Sequence, residues 1–272
     1  MKKIVQLWPG DQHLEWIDGW KKWSEKLILL NSPEDADPEI PFVFGGNMVS
    51  KWVRNWMRLK RPCFVLGRPY LGGHLSKQRT AWRVAVNSFA CTEIKNISYS
   101  RWHTVGLEKH PWKVKSIRNI LIAPPKKTLH FWEGMPAHDW AENIKLQFPN
   151  SNVKIRLKEG MGGKGKRYNT LWNDLNWADL VISYSSAITT EAFWYGKKVI
   201  SPGVCPTWTA SDRNFNNWQD PIEPKNRSSW HEHMGWIQFT QEEWASGEAQ
   251  ELTVHYQGWP LDVTAIDNSF KE

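Results

Sequence analysis

Short apolar runs of strand type alternate with amphipathic helical segments along most of this chain. A chain with that alternation buries its strands by crossing over with helices, so the pattern specifies an α/β fold with parallel sheets. Strands are expected at Lys3 to Leu7, Leu27 to Leu30, Phe42 to Phe44, Cys63 to Leu66 and Arg83 to Val86. A second set is expected at Asn119 to Ala123, Val153 to Leu157, Leu180 to Ser183 and Lys198 to Ser201. Helical periodicity marks His13 to Lys26, Met48 to Leu59, Ala137 to Phe148, Thr170 to Asn176, Ala187 to Tyr195 and Gln241 to Ser246. Between the sets lies the polar, proline-containing "LEKHPWKVKSIRN", Leu107 to Asn119, a candidate linker. The expected division is therefore two α/β domains, residues 1–115 and 116–272, with a C-terminal strap from Gly258. No internal repeat is visible in the sequence.

Several of the 20 tryptophans fall at helical spacing, as Trp16, Trp20 and Trp23 or Trp52 and Trp56, and belong to core-facing stripes. Trp8, Trp102, Trp112, Trp132, Trp208 and Trp218 stand in loop contexts, where an indole could stack on a sugar ring or a base. Lys and Arg exceed Asp and Glu by seven, which favours anionic partners. Cys63, Cys91 and Cys205 are odd in number and far apart, as expected of free thiols in a reducing, cytoplasmic setting. No apolar run approaches the roughly 20 residues of a spanning helix, so no membrane partner is expected.

The most informative stretch is "ADLVISYSSAITTEAFWYGKKVISPG", Ala178 to Gly203. A strand ending near Ser183 hands over to a helix starting near Ser186, which places Ser185, Ser186 and the first helical N–H groups at a sheet's carboxyl edge. Such a corner receives anions, because free backbone donors and the positive end of the helix dipole face outward. Glu191 follows about one turn deeper and could accept the hydroxyls of a ribose. The simpler alternative is a serine N-cap followed by an early-helix charge. Upstream, Arg156 and Lys158 alternate at a strand end and could clamp a phosphate ahead of the basic loop "GMGGKGK". Neither a Walker loop nor a dinucleotide-binding glycine fingerprint occurs.

Taken together, "RLK" at Arg156 and "LNWADLVISYSSAITTEAFWYGKKVISPG" resemble the donor half of GT-B glycosyltransferases. "NILIAPP" at Asn119 and "RSSWHEHMGWIQFTQEEWASGEA" at Arg227 add a resemblance to small bacteriophage proteins regarded as glycosyltransferases, over about half the chain. The resemblance implies two Rossmann-like domains with a cleft between them, and donor contacts from Arg156, Lys158, Ser185, Ser186, Thr189, Thr190 and Glu191. It also implies a nucleotide sugar, UDP-linked, as co-substrate, and a phage enzyme working in the host cytoplasm. The paired-glutamate spacing of retaining enzymes is not evident, which leaves the stereochemistry open.

The first half carries two candidate loops. "WPGDQH" offers Asp11 and His13 as general bases for an attacking acceptor hydroxyl, with a turn or N-cap role for Asp11 as the alternative. "GRPYLGGH" offers Arg68 and His74 as acceptor or phosphate contacts, or is a structural loop. No metal spacing is present, and His231 and His233 lack a third ligand at a recognisable distance in sequence. The resulting expectation is a hexosyltransferase that needs no cofactor beyond the nucleotide sugar. The resemblance implies as its favoured acceptor double-stranded DNA bearing 5-hydroxymethylpyrimidines, such as hydroxymethylcytosine, because phage enzymes of this architecture modify such bases, and a basic, aromatic-rich chain suits a flipped base. A polysaccharide or protein acceptor, and a non-catalytic nucleotide- or nucleic-acid-binding role, are the alternatives.

Overall fold

The computed structural model describes residues 3–8, 14–45, 51–67, 71, 81–87, 100–104, 108–125, 134–157, 164–203, 205–257 and 261. The chain separates into two compact units. The first comprises Met1–Pro69, Gln78–Leu107 and Glu232–Glu272, and the second Tyr70–Lys77 and Glu108–His231. The passage at Leu107 to Glu108 opens the expected linker. The return at Glu232 differs from the expected boundary, which had assigned everything after residue 116 to one domain.

The first unit holds a six-stranded sheet in the order β10-β5-β4-β3-β1-β2. Its strands are β1 (Ile4–Leu7), β2 (Lys26–Leu29), β3 (Phe42–Phe44), β4 (Cys63–Gly67), β5 (Ala81–Val86) and β10 (Gln238–Thr240). β1 to β4 pair in parallel, whereas β5 runs antiparallel to both β4 and β10. Helix α1 (Leu14–Trp23) buries Ile17 and Trp20, three residues apart, and leaves Asp18, Lys21 and Lys22 exposed. Helix α2 (Lys51–Arg58) buries Val53, Trp56 and Met57.

The returning segment explains why the boundary moved. Helix α6 (Arg227–Trp236), β10, α7 (Gln241–Ser246) and α8 (Glu248–Gln257) follow one another. Phe239, Trp244, Ala249, Val254 and Leu261 join Val5, Leu7, Trp20, Val43 and Phe64 in one core. Without these late residues the sheet face that carries Val5, Val43 and Phe64, and Trp20 of α1 packed with it, would lack much of their apolar cover. Two polar features fix the return. Thr240 and Glu243 form a reciprocal capping box at the start of α7. The same Glu243 pairs with Arg101, and both are buried. Its charge is thereby compensated where an isolated carboxylate would be costly.

The second unit holds a four-stranded sheet, β7-β6-β8-β9, parallel throughout. Its strands are β6 (Asn119–Ile122), β7 (Asn152–Ile155), β8 (Leu180–Ile182) and β9 (Lys198–Ile200). Helices α3 (Ala137–Lys145), α4 (Lys164–Trp177) and α5 (Ile188–Trp194) connect them. Ile120, Ile122, Ile182 and Ile200 form its core with Trp140, Ile144 and Phe148. The buried apolar runs Ile120 to Ile122 of β6, Leu180 to Ile182 of β8 and Val199 to Ile200 of β9 are what a parallel sheet covered on both faces requires.

At Gly19 the backbone of the returning chain comes up against α1. A Cβ built there would stand 1.8 Å from the carbonyl oxygen of Trp244. The Gly19→Ala variant is expected to lose about 1–3 kcal/mol or more, because backbone cannot yield to the added methyl. Denaturant unfolding of the purified variant measures this; a midpoint equal to wild type would show that α7 packs there by choice, not necessity.

Candidate functional site

Four parallel strands of the second unit release their chains along one edge, at Ala123, Arg156, Ser183 and Ser201. The chain order reverses between β6 and β8, and at such a switch point the loops leave in opposite directions and open a crevice. The Ser183–Ser186 turn sits there. Ser183, buried, donates its hydroxyl hydrogen bond to the carbonyl of Ala123, while the N–H of Ala123 donates to Ile182 at 2.8 Å. The exit of β9 braces the turn from the other side. The carbonyl of Tyr184 accepts from Ser201 Oγ at 2.8 Å and from the N–H of Gly203 at 2.8 Å.

The corner is therefore rigid below and polar above. Ser185 and Ser186 are half-buried and keep part of their surface. The residue preceding α5 is Ala187, which makes no side-chain cap, so the serine N-cap alternative is not what forms. Among the described residues no acceptor takes the backbone N–H of Ala187 or Ile188. Thr189 turns its hydroxyl back to the carbonyl of Ser186 at 2.7 Å.

Thr189, Thr190 and Glu191 lie beneath this corner, not on it, with 0%, 0% and 1% of their surface exposed. The reason is that α5 is only seven residues long and buried along its whole length. Thr190 Oγ1 and Glu191 Oε1 have no hydrogen-bond partner among the described residues. Buried polar atoms are nearly always paired, so two partnerless oxygens on adjacent residues mark this spot as unusual. Burial pushes the Glu191 carboxyl up to about 8, and burial, followed by the Glu191 charge, pushes the Tyr195 hydroxyl up to about 12.

Arg156 differs from the expectation of a free phosphate clamp. Its guanidinium pairs with Asp174 of α4 and donates to Thr170 Oγ1 at 3.2 Å, and Lys154 pairs with the same Asp174. Residues 154 and 156 share a strand face, and that face meets a buried carboxylate whose charge needs compensation. Asp174 was not singled out in the sequence. The signal that could have found it is the Lys-x-Arg alternation beside a following helix with an acid at matching depth. Lys158, Asp11, His13, Arg68 and His74 lie outside the described residues.

The loop tryptophans are largely engaged in the framework. Trp8, Trp112 and Trp208 donate their indole N–H to the carbonyls of Asn31, Pro221 and Ser201 at 3.0, 2.7 and 3.1 Å. Trp218 packs on Phe148, Trp102 is half-buried, and Trp132 lies outside the described residues. His231 and His233 are buried, and no helix among the described residues is long and apolar enough to cross a membrane.

No family model and no curated protein sequence matches the chain. Its fold is similar to that of a solved beta Kdo 2,7 transferase, part of Thermosulfurimonas dismutans KpsC. The two are 11% identical with a TM-score of 0.52, over 92% of this chain and 99% of that one. The beta Kdo 2,4 transferase of the same KpsC is also similar, at 11% identity and a TM-score of 0.46, over 88% and 92%. The first likeness shows the fold: a GT-B-like α/β architecture consistent with two Rossmann-like units, as the resemblance implied.

The Glu191 carboxyl gives a pH test. Its folded value, about 8, lies above the unfolded value of 4.5, so its contribution to stability is fully present below pH 4.5 and is lost as pH rises through 8. Wild type should therefore lose stability relative to Glu191→Gln between pH 5 and pH 8, at a limiting slope of about 1.4 kcal/mol per pH unit. Parallel stability curves for the two proteins would place an ionised, compensated Glu191 in the fold.

Proposed function

We propose that this protein is a glycosyltransferase that moves a sugar from a nucleotide diphosphate donor, UDP-linked, to an acceptor hydroxyl. The observation that carries the reading is the uncapped Ser185–Ser186 corner at the switch point of the second sheet. In transfer, the bond between the anomeric carbon and the donor phosphate oxygen breaks, a bond to the acceptor oxygen forms, and the nucleoside diphosphate departs. Negative charge grows on the leaving phosphate, and the outward N–H groups and serine hydroxyls would stabilise it without reorganising. We assign the ribose hydroxyls to Thr190 and Glu191, whose oxygens are the partnerless ones next to this corner. Asp11 and His13 remain the proposed bases for the acceptor proton. Arg156 would support the site from below through Asp174, and Lys158 would face the phosphates.

Two acceptors are supported by different observations. The net charge of +7 supports 5-hydroxymethylpyrimidine DNA. The likeness in fold to a Kdo transferase supports a saccharide hydroxyl instead. Incubation with UDP-hexoses and each acceptor, followed by mass analysis of nucleosides and of oligosaccharides, separates them. One hexose added to a nucleoside identifies the first, and one added to the glycan identifies the second. Donor binding with no mass gain on either would leave a nucleotide-binding protein without transfer.

The donor site is tested apart from the acceptor. Ser185→Ala/Ser186→Ala should weaken UDP binding by about tenfold or more, since hydrogen bonds to a charged group are worth about 1.5–3 kcal/mol. Unchanged affinity by calorimetry would remove the corner from the proposal.

A further inference from the structure

The second unit carries a cavity of about 580 Å³ that the donor site does not use. It lies against the carboxyl-terminal end of α5, and seven helical residues, about 10 Å, separate it from the Ser185–Ser186 corner. Three cations line it, Lys109, Lys225 and Arg227, against one carboxylate, Glu223. Glu223 is already held by Arg227 Nη1 at 2.8 Å, so it does not neutralise the two lysines. Lys109 and Lys225 are both exposed, and Lys109 Nζ donates to Ser228 Oγ at 2.7 Å. Ser228 belongs to the first turn of α6, a ten-residue helix whose positive end therefore adds to the same field. Trp112, which also lines the cavity, has its indole fixed by the bond to Pro221 and by Arg227, 5.5 Å from its ring.

We infer that this groove is a second binding site, for a phosphate-bearing small molecule whose anion lies between Lys109, Lys225 and Ser228. A volume near 580 Å³ suits a ligand the size of a sugar phosphate. The Trp112 indole and neighbouring Pro224 offer a flat apolar wall for the attached ring. The two lysine ammonium groups and the helix terminus offer donors only, and the Ser228 hydroxyl can donate as well, so the groove favours an anion. His110, which lines the groove, and His231 of α6 both have lowered pKa values. Burial first, then Lys113 and Arg227, with Glu108 opposing, lower the His110 pKa. Burial, then Arg227, Lys109 and His110 lower that of His231 to about 4. An anion in the groove would relieve part of this repulsion and raise both.

The test follows the assigned His110 ring resonance of the full chain during titration with inorganic phosphate and with glucose 1-phosphate, at ionic strength held constant with sodium chloride. Saturable shifts are expected, with severalfold tighter binding of the sugar phosphate and a His110 pKa that rises on saturation. Lys109→Ala/Lys225→Ala should weaken both at least tenfold, and both side chains are exposed, so folding is retained. Ser185→Ala/Ser186→Ala should leave the titration unchanged, which keeps this site separate from the donor site. Equal affinity for the two probes would still support the anion site and identify free phosphate as its ligand. Shifts reproduced by sodium chloride alone, or undiminished in the double lysine variant, would overturn the inference.

Discussion

Arg227 is the interaction on which the second unit turns. Its side chain is 1% exposed, and its guanidinium meets four acceptors: the carbonyls of Phe193, Trp194 and His110, and the Glu223 carboxylate. A buried cation without such partners would cost several kcal/mol. Two of those carbonyls belong to the last turn of α5, where a positive charge also suits the helix dipole. The planar fork reaches several carbonyls at once; a lysine ammonium on its flexible stem could not hold the same set. Gly196 completes the joint. It adopts φ +78, and a Cβ there would stand 2.1 Å from the carbonyl oxygen of Pro111, while its own carbonyl accepts from Lys113 at 3.0 Å. The entry segment, the end of α5 and the start of α6 are thereby locked together, and the far end of α5 is the candidate site.

That site combines full satisfaction with local want. Ser183, Ser201, Lys197 and Lys198 are all buried, and each sends its side chain to backbone carbonyls. Around them the sheet edge is stiff. Thr190 and Glu191 break the rule within a few residues. Sequences normally violate polar satisfaction where function compensates for it, and a helix start free of a side-chain cap directly above is the same kind of violation. A neutral carboxyl is the form that burial favours, and in that form Glu191 is a donor as well as an acceptor.

Much of the fold was legible because parallel strands declare themselves. Phe42–Phe44 and Gln241–Ser246 match their expected spans, and most other strands shift by only a residue or two. Helix α4 begins at Lys164, six residues before its expected start at Thr170, because the glycines and lysines of 160–166 read as loop in the sequence. Helix α6 was not legible: "RSSWHEHMGW" has tryptophan, histidine and serine without a clean apolar period. β10 is three residues long and exists only because it pairs with β5, some 150 residues earlier. The same gap hid the domain return. Within the site, the corner could be read from local order, whereas the pairing of Arg156 with Asp174 depends on which helix covers which strand.

The two sheets share more than the sequence discloses. In each, the parallel strands run second, first, third, fourth: β2-β1-β3-β4 in one and β7-β6-β8-β9 in the other. No internal repeat accompanies this, because the order follows from right-handed crossovers and apolar strands, which many sequences satisfy. A repeated topology means a repeated switch point, between β6 and β8 in the second unit and between β1 and β3 in the first. The second switch point carries the polar corner. At the first, β1 ends with Leu7 and the chain then reads Trp8, Pro9, Gly10, Asp11, Gln12, His13. Ligands gather where strand order reverses, and that is the physical reason to look to the segment that follows β1, with Asp11 and His13, for the base that the proposed transfer would need.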